Sequence, residues 1–268
     1  MKFRLNILIS LVFIAFMNQL SYAQGEVNDE ESKIFFQNYK TGAVTLTSNA
    51  FGGDFRFGKR IDGYKKEILE LGIDFPKHTK ESRVESYYIP TTTFIYGKRN
   101  FVTNLRASYG REKEIYSRRD KGGIAIKLNY QLGGNIALLK PVYYQIVVSY
   151  NQLTNTIEIE DLKFDGDLRQ DIYGKSSFTK GIKETSLTPG GFIKLGACFD
   201  FSSRANSINV LETGIIFDAY LTKLNIMAIE ENKQFLFSFY LTYRVGKIVS
   251  ARKMNLSKER KAELYGEE

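Results

Sequence analysis

The chain has 268 residues, with 38 Lys and Arg against 30 Asp and Glu, and with 20 Phe and 17 Tyr but no Trp. Its net charge of +8 is spread along the chain among nearly as many acids, which excludes the clustered basic face of a nucleic-acid binder. A single cysteine, Cys198, excludes an intramolecular disulfide framework and a thiolate cluster; a single histidine, His78, excludes a multi-histidine metal site, so no metal or cofactor is expected.

The N-terminus carries Lys2 and Arg4, an apolar run from Ile7 to Phe16, and the small-residue pattern Ser21-Tyr22-Ala23 before Gln24, the order of a secretory signal peptide. The apolar run is about half of the roughly twenty residues that cross a bilayer, so residues 1–23 read as a cleaved leader and not as an anchor. No cysteine lies near the cleavage point to be lipidated, and cleavage lowers the net charge by two through loss of Lys2 and Arg4. Residues 24–247 then read as one barrel domain with a long outer loop at 151–189, followed by a basic periplasmic tail at 248–268.

Beyond the leader the hydrophobic pattern has period two. Candidate strands run in chain order from Phe35 to Thr47, Phe51 to Phe57, Leu69 to Phe75 and Tyr87 to Tyr96. They continue from Val102 to Tyr109, Ile124 to Leu132, Val142 to Tyr150, Ile193 to Phe201, Leu211 to Leu221 and Phe235 to Val245. In the last of these, Phe235, Phe237, Phe239, Leu241, Tyr243 and Val245 alternate with Ser238, Tyr240, Thr242 and Arg244 over eleven residues, the length of a tilted transmembrane strand. A soluble sandwich also alternates. Three features favour a barrel in a membrane: strands of ten residues or more, aromatic ends at Tyr109, Tyr130, Tyr150 and Tyr243, and connections that alternate short and long. The short connections are Ile61 to Gly63, Gly97 to Asn100, Gly133 to Gly134 and Ser202 to Ala205. The long ones are Pro76 to Val84, Arg111 to Gly122, Asn151 to Pro189 and Thr222 to Lys233. The hairpin at Ser48 and Asn49 departs from this rhythm, being short where a long outer loop is expected. The expectation is an all-β, single antiparallel transmembrane β-barrel of about ten strands, with eight as the alternative and a closed or narrow lumen.

At Gly52 to Lys59, Tyr96 to Lys98, Tyr109 to Arg111, Asp120 to Gly122 and Leu139 to Tyr143 the chain resembles a family of outer-membrane barrels of Bacteroidota without an assigned activity. The resemblance spans roughly Gly42 to Gly246. It implies a location in the cell outer membrane and supplies no catalytic residues.

With apolar residues facing lipid, the opposite face carries Asp54, Arg56, Glu70, Asp74, Arg106, Lys127, Lys194, Asp200, Glu212, Asp218 and Arg244. Buried charges persist when paired, and a lumen of eight to ten strands is narrow enough for side chains to fill, so an internal salt-bridge network is expected. A narrow solute or ion channel lined by these charges is one rival. A lipid-modifying enzyme is another, with His78 as base, Ser82 as nucleophile and Glu81 or Glu85 orienting the ring. Glu158, Glu160 and Asp161 lack the spacing of a calcium loop and read as a solvated acidic turn. The favoured role is structural or interactive, in envelope integrity or secretion machinery. The partners expected are outer-membrane lipid around the barrel and an envelope protein met through loop 151–189 or through the tail at 248–268, which is basic from Arg252 to Lys261; no nucleic acid is expected.

Overall fold

The computed structural model describes residues 37–89, 91–117, 123–151, 156–164, 171–202, 207–228 and 232–250. The leader expected at 1–23 lies outside them, as does the expected tail from residue 251 onward, its first three residues, 248–250, being instead the end of the last strand.

Among the described residues eight strands close into an antiparallel barrel: β1 (Gln37–Thr47), β2 (Ala50–Arg60), β3 (Lys65–Pro76), β6 (Asn100–Tyr116), β7 (Ala125–Pro141), β11 (Ser186–Asp200), β12 (Ser207–Tyr220) and β13 (Phe235–Ser250). Each pairs with its neighbour in sequence around the wall, and β13 returns to β1 with Val44 opposite Tyr243, so no edge is left open. Five shorter strands stand outside the wall. The hairpin β4 (Arg83–Glu85) and β5 (Thr93–Ile95) lies between β3 and β6, and the sheet β10-β8-β9 (Ile172–Lys175, Tyr143–Asn151, Thr156–Lys163) lies between β7 and β11.

Side chains alternate across the wall with apolar residues outward. Phe55, Leu71, Leu105, Leu128, Ile193, Phe217 and Phe239 are exposed, Phe239 by 64%, while Arg56, Glu212, Arg244 and Asn104 are almost wholly enclosed. A soluble core has the reverse polarity. This one matches a hydrocarbon solvent, in which every backbone group must be paired within the wall.

The count is eight, the second of the two readings. The two surplus strands are real β-structure in another place. Residues 87–96 contribute only the short β5, and Val142 to Tyr150 is β8 of the side sheet, so Tyr150 is no girdle residue of the barrel. Removing them moves the connection after Tyr109 to the opposite end of the barrel. β6 runs on to Tyr116, and the turn that follows shares its end with the turns after Arg60 and Asp200. Gly97 to Asn100 is no short turn between barrel strands but the last part of the long connection into β6, with Gly97 at φ +72°.

Gly133 and Gly134, which suggest a two-residue turn, lie inside the 17-residue β7. The phase of the alternation explains it. A two-residue turn would pair Leu132 with Asn135 on one face and send Asn135 into lipid, whereas Leu132, Ile136 and Leu138 continue one unbroken outward stripe. The missing side chain has a use: Gly133 pairs with Phe192 of the neighbouring strand β11, and the Phe192 ring takes the space that a Cβ would fill.

Candidate functional site

All eleven expected lumen charges point inward, and they meet in three tiers. The central tier joins Arg56 to Glu70 at 2.6 Å and to Glu212 at 2.9 Å. Lys194 reaches Glu70 at 2.8 Å and Glu212 at 3.4 Å. Arg244 meets Asp54 at 2.6 Å and Glu70 at 3.2 Å. Three cations thus face three carboxylates from β2, β3, β11, β12 and β13, with Tyr240 donating to Glu212 at 2.8 Å and Thr45 to Asp54 at 3.1 Å.

Toward the short-turn end, Lys127 holds Asp200 at 2.6 Å and approaches Glu112 at 3.7 Å, which also accepts from the Tyr39 hydroxyl at 3.2 Å. Toward the long-loop end, Arg106 is clamped between Asp74 and Asp218, both at 2.8 Å, and Asn135 donates to Asp218 at 2.9 Å. Between the upper two tiers a cavity of only about 40 Å³ remains, enough for a water or two. Bulky inward rings fit because glycines face them: Gly58 lies under Tyr39 and Gly196 under Tyr240, where a methyl group has no room.

Above these tiers the lumen ends in an apolar lid. Leu224, Ile226 and Met227, from the β12–β13 connection, pack on Val102, Ala137, Leu139 and Tyr220 at the strand ends. The lid is pinned by backbone bonds from Arg99 N to Ile226 O at 2.9 Å and from Ala228 N to Gly97 O at 2.7 Å, and by Asn232, whose amide serves Ile226, Met227 N and Met227 O.

Sequence reasoning missed Glu112 and the lid. Glu112 was placed beyond a strand ending at Tyr109, yet Gly110 and Glu112 keep the inward phase while Arg111 and Lys113 keep the outward one. Continuation of the phase past two outward charges, at the level where headgroups begin, was the available signal. The lid has none, because its apolar residues show no period of their own.

The long excursions form a second, conventionally packed region. Phe94, Tyr144, Ile146 and Ile172 make a buried apolar cluster that joins the β4–β5 hairpin to the side sheet. Tyr144 is its centre: its hydroxyl accepts from Lys98 N at 3.0 Å and lies 2.6 Å from Ile95 O, and burial raises its pKa. Outside this cluster, Lys180 holds Asp161 at 2.6 Å and Tyr143 donates to Glu184 at 2.7 Å, while Lys163 pairs with Glu184. These contacts hold both carboxyls below their ordinary range, chiefly through Lys180 for Asp161 and Lys163 for Glu184. Glu158, Glu160 and Asp161, expected in a turn, are instead residues of β9, paired with β8.

His78 lies in this long-loop region with its Nδ1 accepting from Lys80 N at 3.1 Å. The Glu81 carboxylate is taken by Lys98, with both oxygens at 2.9 Å, and its Oε1 also accepts from the backbone N of His78. Among the described residues no hydrogen bond or ion pair joins the His78 ring to Ser82 or Glu85.

No family model matches the chain, and no curated protein matches it. Solved structures with a similar fold include Neisserial surface protein A (TM-score 0.38, 11% identity, covering 80% of this chain and 97% of that one). Others are the attachment invasion locus protein of Yersinia pestis in complex with a heparin analogue (0.36, 6%, 80% and 99%) and the N-terminal barrel domain of Pseudomonas aeruginosa OprF (0.33, 10%, 80% and 99%).

Proposed function

We propose that this protein is a non-enzymatic, non-conducting anchor in the outer membrane that presents its folded extramembrane layer to an envelope partner. The observation that carries this reading is the filled lumen: among the described residues three tiers of paired charge lie beneath an apolar lid, with a cavity of only about 40 Å³ between the upper two. A pore needs mobile ions to replace those pairs, and an enzyme of the His78 type needs a nucleophile at the ring, a role for which Ser82 has no contact. The outward apolar face supports integral placement, and the leader expected at 1–23 together with the resemblance to Bacteroidota barrels supports export to the outer membrane. In this orientation the short turns and the tail after Ser250 are periplasmic, while the excursion between β7 and β11, with the side sheet, belongs to the outward layer. Either element offers a partner surface.

The test is cell fractionation with boiled and unboiled samples of the outer-membrane fraction compared by gel mobility, followed by planar-bilayer recording. A heat-dependent shift without conductance is expected. Steady unitary conductance overturns the sealed-anchor reading, and recovery in the soluble periplasmic fraction overturns membrane placement. Replacing residues 142–185 by a short Gly-Ser turn then separates the partner surfaces: a co-purifying envelope protein is lost if it uses the outward layer and retained if it uses the tail.

A further inference from the structure

A groove of about 910 Å³ lies at the long-loop end, outside the lumen, between the barrel wall, the connection carrying β4 and β5, and the side sheet. Its floor is a row of rings. Phe51 of β2, Phe75 of β3 and Phe101 of β6 follow one another at centroid distances of 5.2 and 6.0 Å, and Phe178 of the excursion stands 5.4 Å beyond Phe101. The first three belong to the outward face of the wall, directly continuing the stripe of Phe55, Leu71 and Leu105.

Around this floor stand Lys77, Arg83, Lys98, Lys140 and Lys175, with Glu81 the sole acid among the lining residues. Glu81 is taken by Lys98, and among the described residues no ion pair joins Lys77, Arg83, Lys140 or Lys175 to an acid. Lys77 lies 5.1 Å from the Phe51 ring centre and Lys140 4.2 Å from that of Phe178, so these cations are held at the edge of the aromatic floor.

We infer that this groove binds one membrane lipid with an anionic phosphate headgroup. Its acyl chain lies along the outward stripe and the Phe51–Phe75–Phe101 floor, and its phosphate sits among Lys77, Arg83 and Lys175. The continuity of the floor with the lipid-facing wall selects the occupant: a chain already against Leu71 and Leu105 reaches the groove without leaving apolar surface. A soluble phosphate gains the cations alone, and an acidic peptide gains nothing from the stripe below.

The inference rests on the membrane placement proposed above, which the heat-dependent mobility shift tests separately. Native mass spectrometry of the full chain released from detergent, with dioleoyl phosphatidic acid, dihexanoyl phosphatidic acid, dioleoyl phosphatidylcholine and inorganic phosphate as probes, tests it directly. The long-chain anionic lipid is expected to be retained in preference to the other three. The triple variant Lys77→Gln, Arg83→Gln, Lys175→Gln is expected to lose about ten- to a hundredfold in that affinity, on the usual contribution of basic residues at a membrane surface. All three side chains are exposed, so the variant is expected to keep its heat-dependent shift. Unchanged affinity in a variant that keeps the shift overturns the headgroup assignment. Equal retention of the short-chain lipid or of phosphate overturns the lipid assignment in favour of a free anion.

Discussion

The barrel and the layer above it are built from the same alternating strands with opposite polarity. In the wall the enclosed face carries Arg56, Glu70, Lys194, Glu212 and Arg244 and the exposed face carries Phe and Leu, whereas in the layer Phe94, Tyr144, Ile146 and Ile172 are the enclosed face. The difference teaches that period two encodes a strand with two unlike faces and says nothing of which face meets solvent. The solvent decides that: hydrocarbon accepts the rings and forces the charges to pair with one another, while water does the reverse.

The comparison breaks most visibly at Arg56. Replacing it by Met leaves Glu70 and Glu212 short of a cation in a nearly dry lumen, and a loss of ~3–5 kcal/mol is expected in urea titrations of folding into lipid vesicles. A loss below about 1 kcal/mol, the value of a surface pair, marks the interior as wet. Next, Gly196→Ala places a methyl group against the Tyr240 hydroxyl, and overpacking of ~1–3 kcal/mol is expected in the same titration.

The layer responds separately. Tyr144→Phe leaves Lys98 N without its buried acceptor, at a cost of ~1–3 kcal/mol. Protease cleavage within residues 77–99 is expected to accelerate while the heat-dependent mobility shift of the barrel stays as it was. A lost shift instead makes the two regions one cooperative unit.

The smallest effect is acid loosening of the layer surface. The folded-state pKa values of Asp161 and Glu184 lie below the ordinary 3.8 and 4.5, so what their contacts contribute is fully present above those values. It is lost only as pH falls through the lowered ones. Carboxyl NMR titration in detergent micelles checks this, and midpoints at or above the ordinary values remove the contacts from solution.

Much of the candidate site was legible because the inward phase of each strand names its lumen residues without knowledge of the neighbours; Asp54 and Arg56 follow from Phe55 and Phe57 alone. Glu112 was obscured by Arg111 and Lys113, whose outward charges resemble a loop although they mark the level where the wall leaves the apolar layer. The groove could not be found this way, since its floor comes from three barrel strands and its rim from two distant connections.

What the sequence by itself determined is the class of strand and which residues share a face, because alternation is local and the residues i and i+2 share a face whatever they pair with. Only the tertiary structure decided that the wall has eight strands and that Tyr143–Asn151 leaves it. The lid over the lumen and the partners of Arg56 were likewise decided there. The physical reason is that closure, like each of these contacts, joins residues from separate strands and connections, and their proximity depends on register and shear that no single segment carries.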